Sequence, residues 1–336
     1  MFTSFLTKLR VGENLTEVEA SEVIEAVFCG EADTVQLEEL LVLLAEKGET
    51  VDEIVGAAKT MRQHATKIAP RVKQLVDVVG TGGDCANTFN ISTTTAFVVA
   101  GAGVAVAKHG NRAVSSKSGA ADVLDALGIQ IDLSPEKIST AIEKIGIGFL
   151  FAPTFHPAMK FAAPIRAKLK RRTIFNLLGP LTNPAGAQHL LVGVFAVELV
   201  PIFAEVLQKM NHAHAIVIHG NGLDELTIAG ENIALELQND VISELKINLA
   251  ELGIEKAARE DLIGGDAIQN AKITQAILNG EKGPHREIVI LNSAAALFAA
   301  DCAKNLSDAV VIARRSIDSG AAGAKLKELA EFTQNC

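Results

Sequence analysis

The stretch Asp77-Val-Val-Gly-Thr-Gly-Gly-Asp84 decides the reading of this chain, because an apolar, β-branched run passes directly into Gly80, Thr81, Gly82 and Gly83 and is closed by an acid. Glycine reaches positive φ at no steric cost and carries no Cβ, so successive backbone N–H groups can converge on an anion. A helix following such a loop adds the positive end of its dipole. Taken alone, the pattern also describes an ordinary strand-to-helix turn with no ligand. The downstream residues decide between the two.

Working outward, short β-branched runs recur at Leu75 to Val79, Val104 to Ala107, Leu191 to Phe195 and Ala215 to His219, with helix-length segments between them. That alternation predicts a mainly parallel central sheet with helices on both faces. Ligands of such sheets sit at the carboxyl ends of the strands, where Gly80 and Lys108 both fall. Towards the C-terminus the period becomes helical, with Ser307 as an expected N-cap and Gly320 as a break before a last helix from about Ala321 to Phe332.

Upstream of the glycine loop the chain reads as helical. Val18, Val23, Ile24 and Val27, then Leu37, Leu40, Leu41 and Leu44, recur at three- and four-residue intervals. Thr16 with Glu19 and Thr50 with Glu53 have capping-box spacing, and Pro70 is expected to close the unit. The fold expected is therefore a small all-helical N-terminal domain, residues 1–70, followed by a large α/β domain, residues 71–336. Helices within about 155–185 are expected to complete the helical part.

Composition narrows the function. In 336 residues, 49% are hydrophobic and 21% charged, which suits packed globular domains and argues against disorder. A formal net charge of -9 disfavours general nucleic-acid binding, which calls for excess Lys and Arg. The absence of Trp and Tyr removes the usual stacking platforms. Cys29, Cys85, Cys302 and Cys336 are scattered without metal-ligand spacing, so neither a disulfide framework nor a zinc site is expected. The segment Met1 to Lys8 has no sustained apolar core, and Ala96 to Ala107 is too short to span a bilayer. A cytoplasmic location without membrane partners is the expectation.

Four segments join the glycine loop. Asn90-Ile-Ser-Thr-Thr-Thr95 is a hydroxyl-rich entry to an apolar run, suited to phosphate binding at a helix N-terminus or to simple capping. Lys108-His-Gly-Asn-Arg-Ala-Val-Ser-Ser116 follows a strand and is too polar for packing filler. There Lys108 would act as a point charge on a phosphorylated sugar, while Arg112 would bind it too or hold the loop through internal carboxylates. In Gly222-Leu-Asp-Glu-Leu226 the adjacent Asp224 and Glu225 suit Mg²⁺, which takes a few carboxylates together with water and phosphate oxygens; the alternative is an exposed acidic turn. The fourth segment runs from Phe151 through His156 and Arg166 to Pro184. A helix is expected to begin near Pro157, and Arg166 would clamp a planar carboxylate or lie on the surface.

Taken together, Gly80-Thr-Gly-Gly-Asp84, Asn90-Ile-Ser-Thr93, Lys108-His-Gly-Asn-Arg112, Ser118-Gly-Ala-Ala-Asp122, His156-Pro-Ala-Met-Lys160, Asn176 to Pro184 and Leu223-Asp-Glu225 closely resemble the anthranilate phosphoribosyltransferase family of tryptophan biosynthesis. The resemblance spans nearly the whole chain in the family's order and spacing. It implies transfer of 5-phosphoribose from phosphoribosyl pyrophosphate to the amine of anthranilate by a homodimer joined through its helical part. It also implies that Gly80, Gly83, Asp84, Thr88, Asn90, Ser92, Thr93, Lys108, His109, Gly110, Asn111, Arg112, Ala113, Val114, Ser115, Ser116 and Ala120 hold the donor. Ser92, Asp224 and Glu225 would serve two Mg²⁺ ions. Gly80, Asn111, His156, Arg166 and Pro180 would line the anthranilate path. The aromatic amine is neutral at pH 7, so no nucleophile or base is nominated. The chain departs from the commonest family wording at Thr154-Phe155, Phe161 and Lys170-Arg171 but keeps His156 and Arg166. Pyrimidine nucleoside phosphorylases, which resemble this family in fold, and a non-catalytic nucleic-acid-binding paralogue are the rival readings.

Overall fold

The computed structural model describes residues 2–113 and 117–336. Four helices open the chain: α1 (Phe2–Arg10), α2 (Glu17–Phe28), α3 (Thr34–Lys47) and α4 (Val51–His64). Both expected capping boxes form. Thr16 Oγ1 accepts from Glu19 N at 3.2 Å while Glu19 accepts from Thr16 N at 2.8 Å, and Thr50 and Glu53 do the same. Glu53 is wholly buried and also accepts from Leu15 N and Lys47 Nζ, each at 2.9 Å. A buried carboxylate is tolerated when its lone pairs are filled in this way. A third box, Asp33 with Gln36, starts α3.

The helical unit ends earlier than Pro70. Ala65 is already extended, and Thr66 N and Ile68 N donate to Phe155 O and Pro184 O at 2.8 and 3.2 Å. Pro70 disfavours helix in the residue before it, so this segment finds its partners across the fold.

The sheet runs in the order β3-β2-β1-β4-β5-β6-β7. Strands β1 (Leu75–Gly80), β2 (Ala105–Gly110), β3 (Ile147–Phe151), β4 (His189–Gly193) and β5 (His214–Gly220) are parallel. A hairpin of β6 (Asn232–Gln238) and β7 (Val241–Glu244) adds an antiparallel edge. Its turn residues Asn239 and Asp240 both have positive φ, as tight hairpins require.

Strand alternation divides the core. Leu190, Val192, Ala215 and Val217 share one apolar cluster with α1 to α4, with α10 (Ile174–Leu178) and with α11 (Leu199–Lys209). Leu191, Ile216 and Ile218 face the opposite cluster, built with α5 (Ile91–Gly101), α6 (Ala120–Ala126), α12 (Ala267–Leu278), α13 (Pro284–Ala299), α14 (Leu306–Asp318) and α15 (Ala321–Gln334). Gly320, at φ +79°, breaks the chain before α15 as expected. The cap of α14 is Asn305, not Ser307; Asn305 Oδ1 receives Asp308 N at 2.8 Å.

The helix expected from Pro157 is three pieces: α8 (Ala152–Phe155), a 3-10 turn at Pro157–Lys160 and α9 (Ala163–Leu169). Prolines 153, 157 and 164 each open a new turn, since none can continue an existing hydrogen-bond ladder. Helix α7 (Pro135–Ile145) precedes β3. Among the described residues no helix is long and apolar enough to cross a membrane.

Candidate active site

Strands β1, β2, β4 and β5 lie side by side and each ends on a glycine: Gly80, Gly110, Gly193 and Gly220. The chain leaving β5 folds back over these ends. A Cβ on Gly80 or Gly193 would collide with Asp224, and one on Gly220 with the Glu225 carbonyl. The acidic turn is therefore seated on the sheet instead of waving in solvent. Buried Leu223 and Leu226 anchor it on either side, and Asn292 exchanges two 2.9 Å hydrogen bonds with the Leu226 backbone.

Asp224 accepts Gly82 N at 2.7 Å, and Glu225 accepts Ser92 N at the start of α5 at 3.0 Å. The glycine loop, the hydroxyl-rich helix start and the acidic pair, far apart in sequence, thus form one cluster. Both side chains keep some solvent contact but are surrounded by protein. Burial pushes the Asp224 carboxyl up to about 7, with Asp84 nearby adding to the effect. Burial and the charge of Asp224 push Glu225 up to about 8, against the pull of Lys108. Two acids held this far above their ordinary range are short of positive charge. No group of three or more His, Cys, Asp or Glu side chains forms a metal cage among the described residues. Two carboxylates beside an open anion loop suit Mg²⁺, which shares its coordination with water and phosphate.

Thr81 N and Gly82 N are held by Gly193 O and Asp224, but among the described residues the Gly83 and Asp84 N–H groups remain open to a ligand. Gly82 and Gly83 have φ of +67° and +79°, and Cys85 and Asn87 follow at +56°. Left-handed residues of this kind build anion-binding nests. Asp84 receives Ala86 N at 3.1 Å, and Thr88 makes an isolated bridge to Ile263 that ties down the end of the loop. The Asn90 side chain is spent on the scaffold. Its Oδ1 accepts from Ser118 Oγ at 3.2 Å and Asn270 Nδ2 at 2.9 Å, and its Nδ2 donates to Ser118 O at 3.2 Å. Thr93 is buried, and among the described residues its hydroxyl has no hydrogen-bond partner.

Other expected residues take more specific places. Lys108 is buried, and its ammonium donates to Val78 O at 2.7 Å and Ser92 Oγ at 3.2 Å. It lies beneath the loop as a counter-charge to Asp77, Asp224 and Glu225, while burial lowers its pKa. Strand alternation turns the Lys108 side chain towards α5, so its charge stands beneath the loop, held by Val78 O and Ser92 Oγ. Of the two readings of Arg112, the structure has the internal one. Its guanidinium bonds Asp122 at 2.9 Å and Asp125 at 2.7 Å, and Asp122 also receives Ala113 N at 2.8 Å. Ala120 packs near Gly110, where a Cβ would stand 3.2 Å from its own. Asn111 Oδ1 accepts Arg112 N at 2.8 Å. Val114, Ser115 and Ser116 lie outside the described residues.

His109, His156 and the turn that holds Pro180 gather beside the end of β2. His109 Nδ1 is 3.0 Å from Gly179 O, and the His109 and His156 ring centroids are 5.1 Å apart. The ring of His109, expected among the donor residues, thus lies beside His156, expected on the anthranilate path. Burial lowers the two imidazoles to about 4 and about 3, so both are neutral at pH 7. Arg166 on α9 is half-buried, stands 5.6 Å over the Phe175 ring and has no carboxylate partner among the described residues. Burial lowers its pKa, but a guanidinium stays charged at neutral pH and so remains available to an acid.

A family model described as glycosyl transferase family, helical bundle domain, matches residues 3–65, and one described as glycosyl transferase family, a/b domain, matches residues 72–323. Anthranilate phosphoribosyltransferase of Acetivibrio thermocellus is 48% identical over 336 residues, covering 100% of this chain and 97% of the relative. The crystal structure of anthranilate phosphoribosyltransferase from Thermus thermophilus superposes with a TM-score of 0.92 at 43% identity, covering 98% of this chain and 99% of that one. This chain belongs to the anthranilate phosphoribosyltransferase family. The Saccharomyces cerevisiae anthranilate phosphoribosyltransferase in complex with PRPP and Mg superposes at 0.90 with 25% identity, covering 100% of this chain and 98% of that one. The phosphorylase and nucleic-acid-binding readings are not favoured by these comparisons.

Set in the anthranilate phosphoribosyltransferase family, several positioning residues had escaped the sequence reading. Asp77, pushed up to about 6 by burial, accepts His109 N at 3.2 Å and Asn183 Nδ2 at 2.7 Å, joining β1, β2 and the Pro180 turn. Thr81 Oγ1 receives Phe195 N at 3.1 Å. Asp77 and Thr81 lie in the glycine-loop stretch and Asn183 in the Asn176–Pro184 stretch, so their signal is present in the sequence. Asn270 and Asn292, buried asparagines on the mixed helices α12 and α13, carry none that separates them from satisfied core asparagines.

Proposed function

We propose that this chain transfers the 5-phosphoribosyl group from phosphoribosyl pyrophosphate to the amine of anthranilate, releasing pyrophosphate and giving N-(5-phosphoribosyl)anthranilate in L-tryptophan biosynthesis. The observation that carries the reading is the seating of Asp224 and Glu225 against the glycine loop and the α5 start. It sets two charge-starved acids beside a nest of backbone donors.

The residues divide the work. Gly80 to Asp84, with Thr88, Asn90, Ser92, Thr93 and the Lys108 loop, would receive the donor's phosphates, the N–H groups acting as preorganised dipoles for the departing diphosphate. Ser92, Asp224 and Glu225 would hold two Mg²⁺ ions. When bound there, Mg²⁺ supplies the charge that stabilises a diphosphate leaving group. Arg166 would fix the anthranilate carboxylate, and Asn111, His156 and Pro180 would set the ring so that its neutral amine meets C1 in line. Neutral His156 and His109 add no competing cation beside Arg166. The bond from C1 to the pyrophosphate oxygen breaks, the bond from nitrogen to C1 forms, and the extra ammonium proton passes to solvent or to the released diphosphate.

We further propose a homodimer through the helical part, division at residues 1–70 and 71–336, and a cytoplasmic setting. Val18 on α2, Val35 on α3 and Val11 just after α1 are 66%, 74% and 71% exposed, apolar positions that a second copy would cover. Activity is tested by the fall of anthranilate fluorescence on mixing with the donor and Mg²⁺. The absence of Trp keeps the protein background low. A steady decay that stops with chelator supports the reading; unchanged fluorescence at saturating substrates contradicts it.

A further inference from the structure

Arg172 lies between Arg166 and Asn176 in the fourth segment without an assigned role, yet it reaches the glycine loop. Its Nη2 donates to the carbonyl of Gly83, and its guanidinium carbon lies 3.8 Å from the centroid of the Phe195 ring. Three successive cations diverge here. Lys170 ends α9 in a left-handed conformation at φ +50°, and Arg171 reaches back to Glu46 of α3 at 3.1 Å. Arg172 crosses to the glycine loop. One short turn therefore joins the helical layer, the helix bearing Arg166 and the loop below it.

The contact acts on a particular peptide unit. In a trans amide the carbonyl of one residue and the N–H of the next point in opposite directions in one plane. Holding the Gly83 oxygen against Arg172 therefore directs the Asp84 N–H away from Arg172. Among the described residues neither the Gly83 nor the Asp84 N–H has a hydrogen-bond partner. A cation on the oxygen also polarises the amide and strengthens its N–H as a donor. Stacking on Phe195 fixes the plane from which the guanidinium donates, and an ammonium cannot reproduce that geometry.

We propose that Arg172 is a positioning residue for the phosphoribosyl donor, setting the Gly83–Asp84 peptide so that the Asp84 N–H is presented to one of the donor's anionic groups. The inference rests on the reading that the Gly80–Asp84 loop grips that donor.

The test measures KM for each substrate in Arg172→Ala, Arg172→Lys and Asp224→Asn, with folding checked by circular dichroism. Losing a charge-assisted contact predicts a donor KM raised about tenfold to a hundredfold in Arg172→Ala, with the anthranilate KM moved less than about threefold. Arg172→Lys falls between it and the unaltered chain, and millimolar guanidinium partly restores Arg172→Ala. Should Arg172→Ala fail to fold, Arg172→Lys and Phe195→Leu carry the same test, each raising the donor KM selectively. A donor KM unchanged in the Arg172 variants but raised in Asp224→Asn overturns the inference and leaves the loop's role standing. A donor KM unchanged in all of them overturns both.

Discussion

The carboxylate of Asp224 fills the space that a side chain on Gly80 would need, and its Oδ2 takes the Gly82 N–H at 2.7 Å. Gly82 and Asp224, 142 positions apart in sequence, are thereby matched to within an atom. Gly80→Ala forces the acidic turn off the sheet edge. Overpacking of this kind costs about 1–3 kcal/mol in stability, and a displacement of roughly 1 Å at a reacting centre lowers the rate about a hundredfold. We expect a folded protein whose kcat/KM falls by about that factor. Activity within a few-fold of the parent would show that the contact is incidental.

Replacing Asp224 by Asn and Glu225 by Gln keeps shape and removes charge. The Mg²⁺ concentration for half-maximal activity should rise at least about tenfold in each, as expected when a charged partner is lost. An unchanged metal titration removes the two acids from the site.

Much of this arrangement was legible in the sequence, for identifiable reasons. Strands β1, β2, β4 and β5 announced themselves through β-branched residues ending on glycine. Strand β3, Ile147-Gly-Phe-Leu-Phe151, was hidden because glycine interrupts it and aromatics replace Val and Ile. Strand β6, Asn-Ile-Ala-Leu-Glu-Leu-Gln, is rich in helix formers and becomes a strand through pairing with β5, which no local propensity reveals. The identity of Asp224 and Glu225 was readable. Their seating was not, because it depends on Gly80, Gly193 and Gly220 standing side by side in an order the chain does not spell. Arg112 could be read two ways until α6 placed Asp122 and Asp125 around it.

Arg166 is a half-buried cation without a carboxylate, so Arg166→Ala should raise the anthranilate KM about tenfold to a hundredfold while the donor KM changes little. Melting should stay level or rise slightly, because no ion pair is broken. The opposite kinetic pattern, with the donor affected and anthranilate spared, contradicts the assignment.

The buried histidines set the acid limit of the fold. His109, His156 and His212 are lowered to about 4, 3 and 3, chiefly by burial. Because the folded pKa lies below the unfolded value of about 6.5, the unfolded chain binds more protons in this range. Stability is then complete above that value and falls as pH drops towards 3–4. Urea midpoints measured from pH 7 to pH 4 should decline in the parent and decline less in His156→Phe. Parallel curves would show that His156 does not titrate in unfolding.

The most direct measurement is a crystal of the protein soaked with phosphoribosyl pyrophosphate and Mg²⁺. The account predicts diphosphate density against the Gly80–Asp84 backbone and the start of α5, with metal between it and Asp224 and Glu225. Diphosphate ordered elsewhere on the chain, with those carboxylates still hydrogen-bonded to Gly82 and Ser92, would contradict it.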